Sequence, residues 1–439
     1  MRGYPSVRLF AALLALALLA ATLAWRIPFM LWDHLDFAPL YATWQSGESL
    51  TQTIFWHSHG GHLHTAAYAV LLVTTWLSHG QTWLDCFASW LFLVAYAATI
   101  LVLCRETLPL VDARARLGVG LIVFLALYPG HLANLQWGWQ VAVFLCLLGT
   151  VVAIRSVCRE EFDWRDNFIA LCGATMAVLS FGIALALAPI ALLAIALRDE
   201  LRPATRLAFA LPWLLGSVAV AYALRSDASL IAPHGDADWA MIATRLFEIG
   251  YYALNFLGAG IARFATGAAP WLSLFAIISG VLAAIASRRH RSAWPWIGFM
   301  LFGMIGAILT ALGRIDEGPT QAFASRYVSF STVFWLGWIG LFVLVLNARR
   351  RHAVQWAVCG VIALFAVGNA VAMTKRANRL AHEARTTAAT LCATYPDVDE
   401  TVLKDMHYAG ADAARDRLRV VHELGFPPFD TCQPAAAAR

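Results

Sequence analysis

Residues 9–24 read LFAALLALALLAATLA, an unbroken apolar run closed by Trp25 and Arg26, and residues 32–36 just beyond it read WDHLD. An apolar run of this length approaches what is needed to cross a hydrocarbon core as a helix. The chain repeats the pattern along its whole length. It has 439 residues, of which 60% are hydrophobic and only 13% charged, and its mean hydropathy is +0.65. These values exclude an ordinary soluble domain and predict a polytopic, all-α transmembrane bundle. The first run resembles a secretory signal, but Trp25-Arg26 offers no small-residue cleavage site, so it is read as a retained first helix.

Arginine placement sets the expected topology. Five short connections carry three arginines each: Arg105, Arg114 and Arg116; Arg155, Arg159 and Arg165; Arg198, Arg202 and Arg206; Arg288, Arg289 and Arg291; Arg349, Arg350 and Arg351. Short arginine-rich loops stay cytoplasmic. With a cytoplasmic amino terminus, about eleven spans follow, near 8–25, 83–104, 117–130, 137–154, 167–181, 183–197, 207–224, 271–287, 294–312, 328–347 and 354–373. The apolar stretches 64–77 and 246–261 do not fit this count and are expected as interfacial or re-entrant helices on the exterior face. Trp25, Trp137, Trp139, Trp294 and Trp296 fall at run ends, where indole rings favour the membrane interface. The net charge of +5 reports this topology and no nucleic-acid partner.

Two domains result: residues 1–373 within the membrane, with a first exterior loop at 26–82, and an exterior helical tail at 374–439. Tyr395-Pro396-Asp397 breaks the tail's first helix, and 402–424 reads as one or two more. Cys392 and Cys432 stand in this tail, where an oxidising compartment would permit a disulfide.

The exterior side is expected to hold few arginines: Arg26, Arg225, Arg245, Arg263, Arg314 and Arg326. Some pair with neighbouring acids, for instance Arg225 with Asp227 or Arg314 with Asp316. The others could bind a phosphate, which a guanidinium holds in bidentate fashion. Arg326 would open a helix, whose first N–H groups favour an anion, with Tyr327 beside it and Arg314 as a second prong. Asp33 and Asp36, in the first exterior loop, supply a general base and an orienting acid for an acceptor hydroxyl.

His57, His59, His62 and His64 follow around Gly60-Gly61. Substrate hydrogen bonding suits one or two of them, His62 first and then His59. His-x-His spacing tolerates a divalent metal but does not indicate one, and no cofactor is implied. The turn 129–140 offers Asn134, Gln136 and Trp137, since indole faces stack on sugar C–H surfaces while amides read hydroxyls.

The first helix, the aspartate-bearing exterior loop, the interfacial helices and the exterior tail together resemble the C-type membrane glycosyltransferases, the GT-C fold. Gly313-Arg314 with Ser325-Arg326-Tyr327, the turn from Asn134 to Trp137, and the tail segment 418–426 are similar to bacterial membrane proteins of that fold. The resemblance implies an inverting transferase, multi-pass in a bacterial inner membrane with a periplasmic carboxyl terminus. It would move a sugar from a polyprenyl-phosphate donor to a glycan or lipid acceptor among the membrane lipids. It also implies that Asp33 or Asp36 is the base, although Asp33 is followed by His34 where commoner members carry a second acid. A lipid or glycan transporter or flippase is a second reading, and an acyltransferase or glycan polymerase or ligase using exterior histidine and arginine a third.

Overall fold

The computed structural model describes residues 5–49, 54, 58–60, 62–108, 113–226, 244–348 and 352–432. Among these, nine helices are long and apolar enough to cross a membrane: Pro5–Ala24, Trp83–Thr107, Arg116–Leu135, Gly138–Val157, Pro203–Ala223, Ala269–Ser287, Arg291–Glu317, Ser325–Ala348 and Trp356–Thr394. About eleven were expected; the other two expected spans, 167–181 and 183–197, fall on shorter helices, Trp164–Val178 and Gly182–Ala196. A helix of this length reaches about 22 Å at about 1.5 Å per residue, short of the roughly 30 Å core. Trp164–Val178 is seated against Val141–Val157 by close backbone approach rather than by length. A Cβ on Gly149 would meet the Gly173 carbonyl oxygen at 2.4 Å, and one on Gly173 would meet that of Gly149 at 2.8 Å. Only small residues let two helices approach so closely.

The stretches expected to lie outside the spans are both helical, Thr65–Ser78 and Leu246–Ala262. The second does not simply rest on a surface. Leu246 and Phe247 are exposed, but Tyr252, Phe256, Leu257 and Ile261 are buried. Trp335, on Ser325–Ala348, donates to the Leu257 carbonyl at 2.8 Å and ties this inner half to the bundle. The helix therefore enters the bundle from one rim.

The boundary expected at 373/374 falls inside one continuous helix, His352–Thr394. After it come Glu400–Met406 and Ala411–Glu423, and a Cys392–Cys432 disulfide closes the segment that contains both. A second apolar core forms here, apart from the main bundle core. It joins Leu31, Leu35, Phe37 and Tyr41 to Tyr68 and Trp139, and to Leu391, Leu403, Met406, Leu418 and Phe426 of the tail. The tail thus packs on the segment that follows the first helix. At the opposite end lie arginine-bearing connections: Arg155 pairs with Glu106 at the close of Trp83–Thr107, and Arg291 with Glu200. Arg349, Arg350 and Arg351 lie outside the described residues.

Candidate functional site

Beyond Pro5–Ala24 the chain makes a 3-10 turn, Trp32–Asp36, that runs directly into the helix Phe37–Gln45. Trp32 opens the turn at φ 56°, a left-handed conformation that is costly for a bulky residue. Contacts from two distant segments hold it there. Its Nε1 donates to the Asp405 carbonyl at 3.1 Å, and its ring meets Trp137 edge-on at 5.1 Å. Trp137 in turn donates to the Leu31 carbonyl at 3.1 Å. His34, on the inner side of the turn, has no accessible surface, and burial pushes its imidazole down to about 3. It stands neutral, 3.9 Å from Asp85, whose carboxylate also accepts from Thr74. The turn is therefore pinned from below while Asp33 and Asp36 face outward.

The two aspartates differ in environment. Asp36 is 9% exposed and is gripped on several sides: Arg417 donates to it through Nε, His407 Nε2 lies 3.0 Å from Oδ1, and His59 Nδ1 lies 3.5 Å from Oδ2. The Ala409 N–H donates to His407 Nδ1 at 3.1 Å, which turns the protonated Nε2 toward Asp36. Asp33 is 28% exposed, and among the described residues its ion-pair partner is His59, with Nε2 at 3.7 Å. Burial alone would raise the Asp33 carboxyl. Its contact with His59, the charges of His59 and Arg326, and lastly the His407 imidazole outweigh this and hold it below the usual carboxylate range. Asp33 is thus a carboxylate kept ionised with an open side.

His59 is delivered by a two-stranded antiparallel hairpin, Ser58–His59 with His62–Leu63, in which His59 pairs with His62. Gly60 turns this hairpin at φ 56°, and a Cβ there would sit 3.7 Å from Arg314 Nη2. The hairpin tip therefore brings the histidine to the aspartates on one side and meets Arg314 on the other. His57 and Gly61 lie outside the described residues. Of the paired hairpin histidines, His59 rather than His62 reaches the carboxylates: His62 stacks on Phe181 at 4.9 Å.

The six arginines expected on this side divide by what they touch. Arg26 donates to the Leu23 carbonyl at 2.9 Å, and Arg263 to that of Phe323 at 2.5 Å. Arg245 pairs with both Glu248 and Asp316. Arg314 pairs with Glu317 at 2.5 Å, not with Asp316 as expected, because Arg245 already holds that acid. The expected pairing of Arg225 with Asp227 lies outside the described residues. Arg326 is half-buried, its guanidinium 5.0 Å from the centre of the Tyr327 ring, and makes no ion pair with any described residue. It lies close enough to Asp33 to stabilise that charge, yet the two are not in ion-pair contact. Tyr327 is buried against Phe256, with ring centres 5.2 Å apart, and supports Arg326 from inside.

The amides of the 129–140 turn serve the fold. Asn134 is buried and donates to Ser329 Oγ at 2.8 Å and to the Ser325 carbonyl at 3.1 Å, anchoring the first turn of the helix that carries Arg326. Gln136 is fully buried, and its backbone carbonyl accepts from the Ile27 N–H at 2.9 Å. Both stand behind the site rather than facing it. Sequence reasoning missed the tail's share, His407, Tyr408 and Arg417. Tyr408 stacks on His407 at 4.6 Å and meets His59 edge-on at 5.9 Å, with its own side chain 72% exposed. No local motif marks these residues, since each reaches the site only because the tail folds back over it.

No family model matches the chain, and no curated protein matches it. Among solved structures it is similar to the archaeal oligosaccharyltransferase AglB from Archaeoglobus fulgidus, solved in complex with an inhibitory peptide and a dolichol-phosphate. The TM-score is 0.43 and the identity 13%, over 84% of this chain and 56% of that one. The chain thus spans little more than half the length of that structure.

Proposed function

We propose that this protein is an inverting membrane glycosyltransferase of the GT-C type. It would move a sugar from a polyprenyl-phosphate donor to a hydroxyl of a glycan or lipid acceptor, at the end of the bundle that carries Asp33. That end would face the exterior of a bacterial inner membrane. The observation that carries the reading is the relation of Asp33 to Arg326. The Arg326 guanidinium makes no ion pair with any described residue, and its charge helps to hold the Asp33 carboxyl ionised without ion-pair contact between the two.

The roles follow from charge. Asp33, the more open of the two acids, takes the proton of the acceptor hydroxyl as that oxygen attacks the anomeric carbon. The bond from that carbon to the phosphate oxygen breaks, and its electron pair leaves on the phosphate. Arg326 stabilises the departing anion in a partly desolvated setting, with Arg314 behind the hairpin as a second cation. Asp36, held through Oδ1 by Arg417 and His407 with His59 beside Oδ2, orients the turn. His59 bridges the two acids.

A lipid donor also needs a seat for its chain. An apolar cleft of about 450 Å³ lies between the helices at Leu246, Tyr251, Leu254, Met304 and Ile308. Ile308 is less than two turns before Arg314 on the same helix, so an isoprenoid lying there would present its phosphate toward the arginines.

The test is transfer from a polyprenyl-phosphate sugar by the purified protein. Arg326→Ala and Asp33→Asn should each abolish turnover while leaving the thermal unfolding midpoint unchanged. Wild-type turnover in both variants rejects the assignment.

A further inference from the structure

The long helix His352–Thr394 carries a second group of cations that the proposed reaction does not use. Leu364, Val367 and Val371 are 72%, 51% and 51% exposed, a bare apolar stripe. Steps of three and four along a helix stay on one face, so this stripe continues through Lys375 to Arg379. At about 1.5 Å per residue, Lys375 lies about 6 Å and Arg379 about 12 Å beyond Val371. The headgroup layer occupies roughly the first 5–8 Å outside the hydrocarbon core, and long cationic side chains extend along it. The change from apolar to cationic therefore falls where lipid tails give way to headgroups.

Arg263 reaches the opposite, buried side of this helix from the end of Leu246–Ala262. Its Nη1 lies 3.5 Å from Met373 Sδ, and Arg376 stands one turn further along the same helix. Burial, then the charges of Arg376 and Arg379, pull the Arg263 guanidinium down to about 10, so the cations of this cluster repel one another. Arg376 Nε is buried without a hydrogen-bond partner. Among the described residues, the only acid paired with any of the three is Glu383, 3.8 Å from Arg379. Three guanidiniums with one peripheral carboxylate, at a membrane boundary, lack a compensating anion.

We propose that Arg263, Arg376 and Arg379 form a docking site for the phosphate of an anionic membrane phospholipid, separate from the Arg314 and Arg326 pair. A phosphodiester on the lipid-facing side of His352–Thr394 would accept from Arg376 and Arg379, with Arg263 supplying charge from behind. Its acyl chains would lie along Leu364, Val367 and Val371. The shared chemistry is a phosphate oxyanion, which free inorganic phosphate also offers.

The experiment is native mass spectrometry of the full-length protein released from micelles doped with phosphatidylglycerol or phosphatidylcholine. Phosphatidylglycerol should be retained over phosphatidylcholine, and the Arg376→Gln/Arg379→Gln double variant should lower its retention on the order of 30-fold. The double lysine variant should keep most of it. Arg379→Gln alone, at a side chain 66% exposed, should show a smaller loss without disturbing the fold. Equal retention of both lipids, or retention unchanged in the glutamine variants, overturns the proposal. Displacement by millimolar inorganic phosphate would make this a free-anion site instead and overturn it too. A loss of polyprenyl phosphate in place of phosphatidylglycerol would assign the cluster to the donor. None of these readouts depends on sugar transfer, so they stand apart from the test of the proposed function.

Discussion

Arg417 donates through Nε to Asp36, so a helix near the end of the chain holds the turn that follows its first helix. The contact makes the tail part of the site rather than an appendage. Arg417→Ala would leave the Asp36 carboxylate, 9% exposed, with only histidine partners. The expected cost is about 1–3 kcal/mol of stability, the penalty of an under-satisfied buried group. Thermal unfolding of the variant in detergent measures it, and an unchanged midpoint would show that solvent replaces the guanidinium.

The aspartates should separate by phenotype. Asp33→Asn removes a proton acceptor and should cut turnover by roughly 10²–10⁴ with little loss of stability. Asp36→Asn loses charge-assisted bonds to Arg417 and His407 and should lower the unfolding midpoint while retaining measurable turnover. Parallel transfer assays and melting curves decide the matter, and the reverse pattern would exchange the two roles.

The acid side of the pH profile should respond to His59. The Asp33 carboxyl is held below the usual carboxylate range, first among its partners by His59, so wild-type activity should persist until the pH falls through that lowered value. His59→Gln removes the attraction, the carboxyl rises, and the acid limb of kcat/KM moves to higher pH. The same depression stabilises the folded state above the ordinary carboxylate pKa and is lost as pH falls through the folded value. The variant should therefore also lose that pH-dependent part of its stability. A limb that stays in place would assign the titration to another group.

Reduction should open the tail. The Cys392–Cys432 bond closes a segment of sequence separation 40 that contains both Glu400–Met406 and Ala411–Glu423, and with them His407 and Arg417. A cross-link over such a loop is worth about 3–4 kcal/mol through the unfolded chain. Reductant, or Cys392→Ser, should lower the midpoint and raise protease sensitivity within 395–432. Turnover should fall as well, because the Asp36 clamp is carried on the freed segment. A tail equally resistant with and without reductant would show that its apolar core suffices alone.

Much of this architecture can be read from residue order. The membrane helices follow from uninterrupted apolar runs, and the helix end at Thr394 follows from Tyr395-Pro396. The acids of 32–36 and the arginines at 314 and 326 stand out because charge is scarce around them. What the order conceals is anything set by return of the chain. His407 and Arg417 carry no local signature, and their partner Asp36 is 371 and 381 residues away. Asn134 and Gln136 illustrate the converse: amides beside tryptophans suit a sugar, yet here the Asn134 amide donates to the Ser325 carbonyl and Gln136 is fully buried. The seating of the short helix Trp164–Val178 on Val141–Val157 is equally hidden, because the contact of Gly149 with Gly173 depends on how two segments cross rather than on hydropathy.

The unbroken helix His352–Thr394 makes the bilayer a mechanical input. Its portion beyond Met373 extends on the order of 30 Å and is joined at Cys392 to the end of the tail. A rigid rod anchored in lipid converts a small change of inclination into a lateral sweep at its tip, about 5 Å for 10° over that length. A thinner or thicker membrane would thus strain the grip on Asp36, and lipid composition would be felt at the turn Trp32–Asp36.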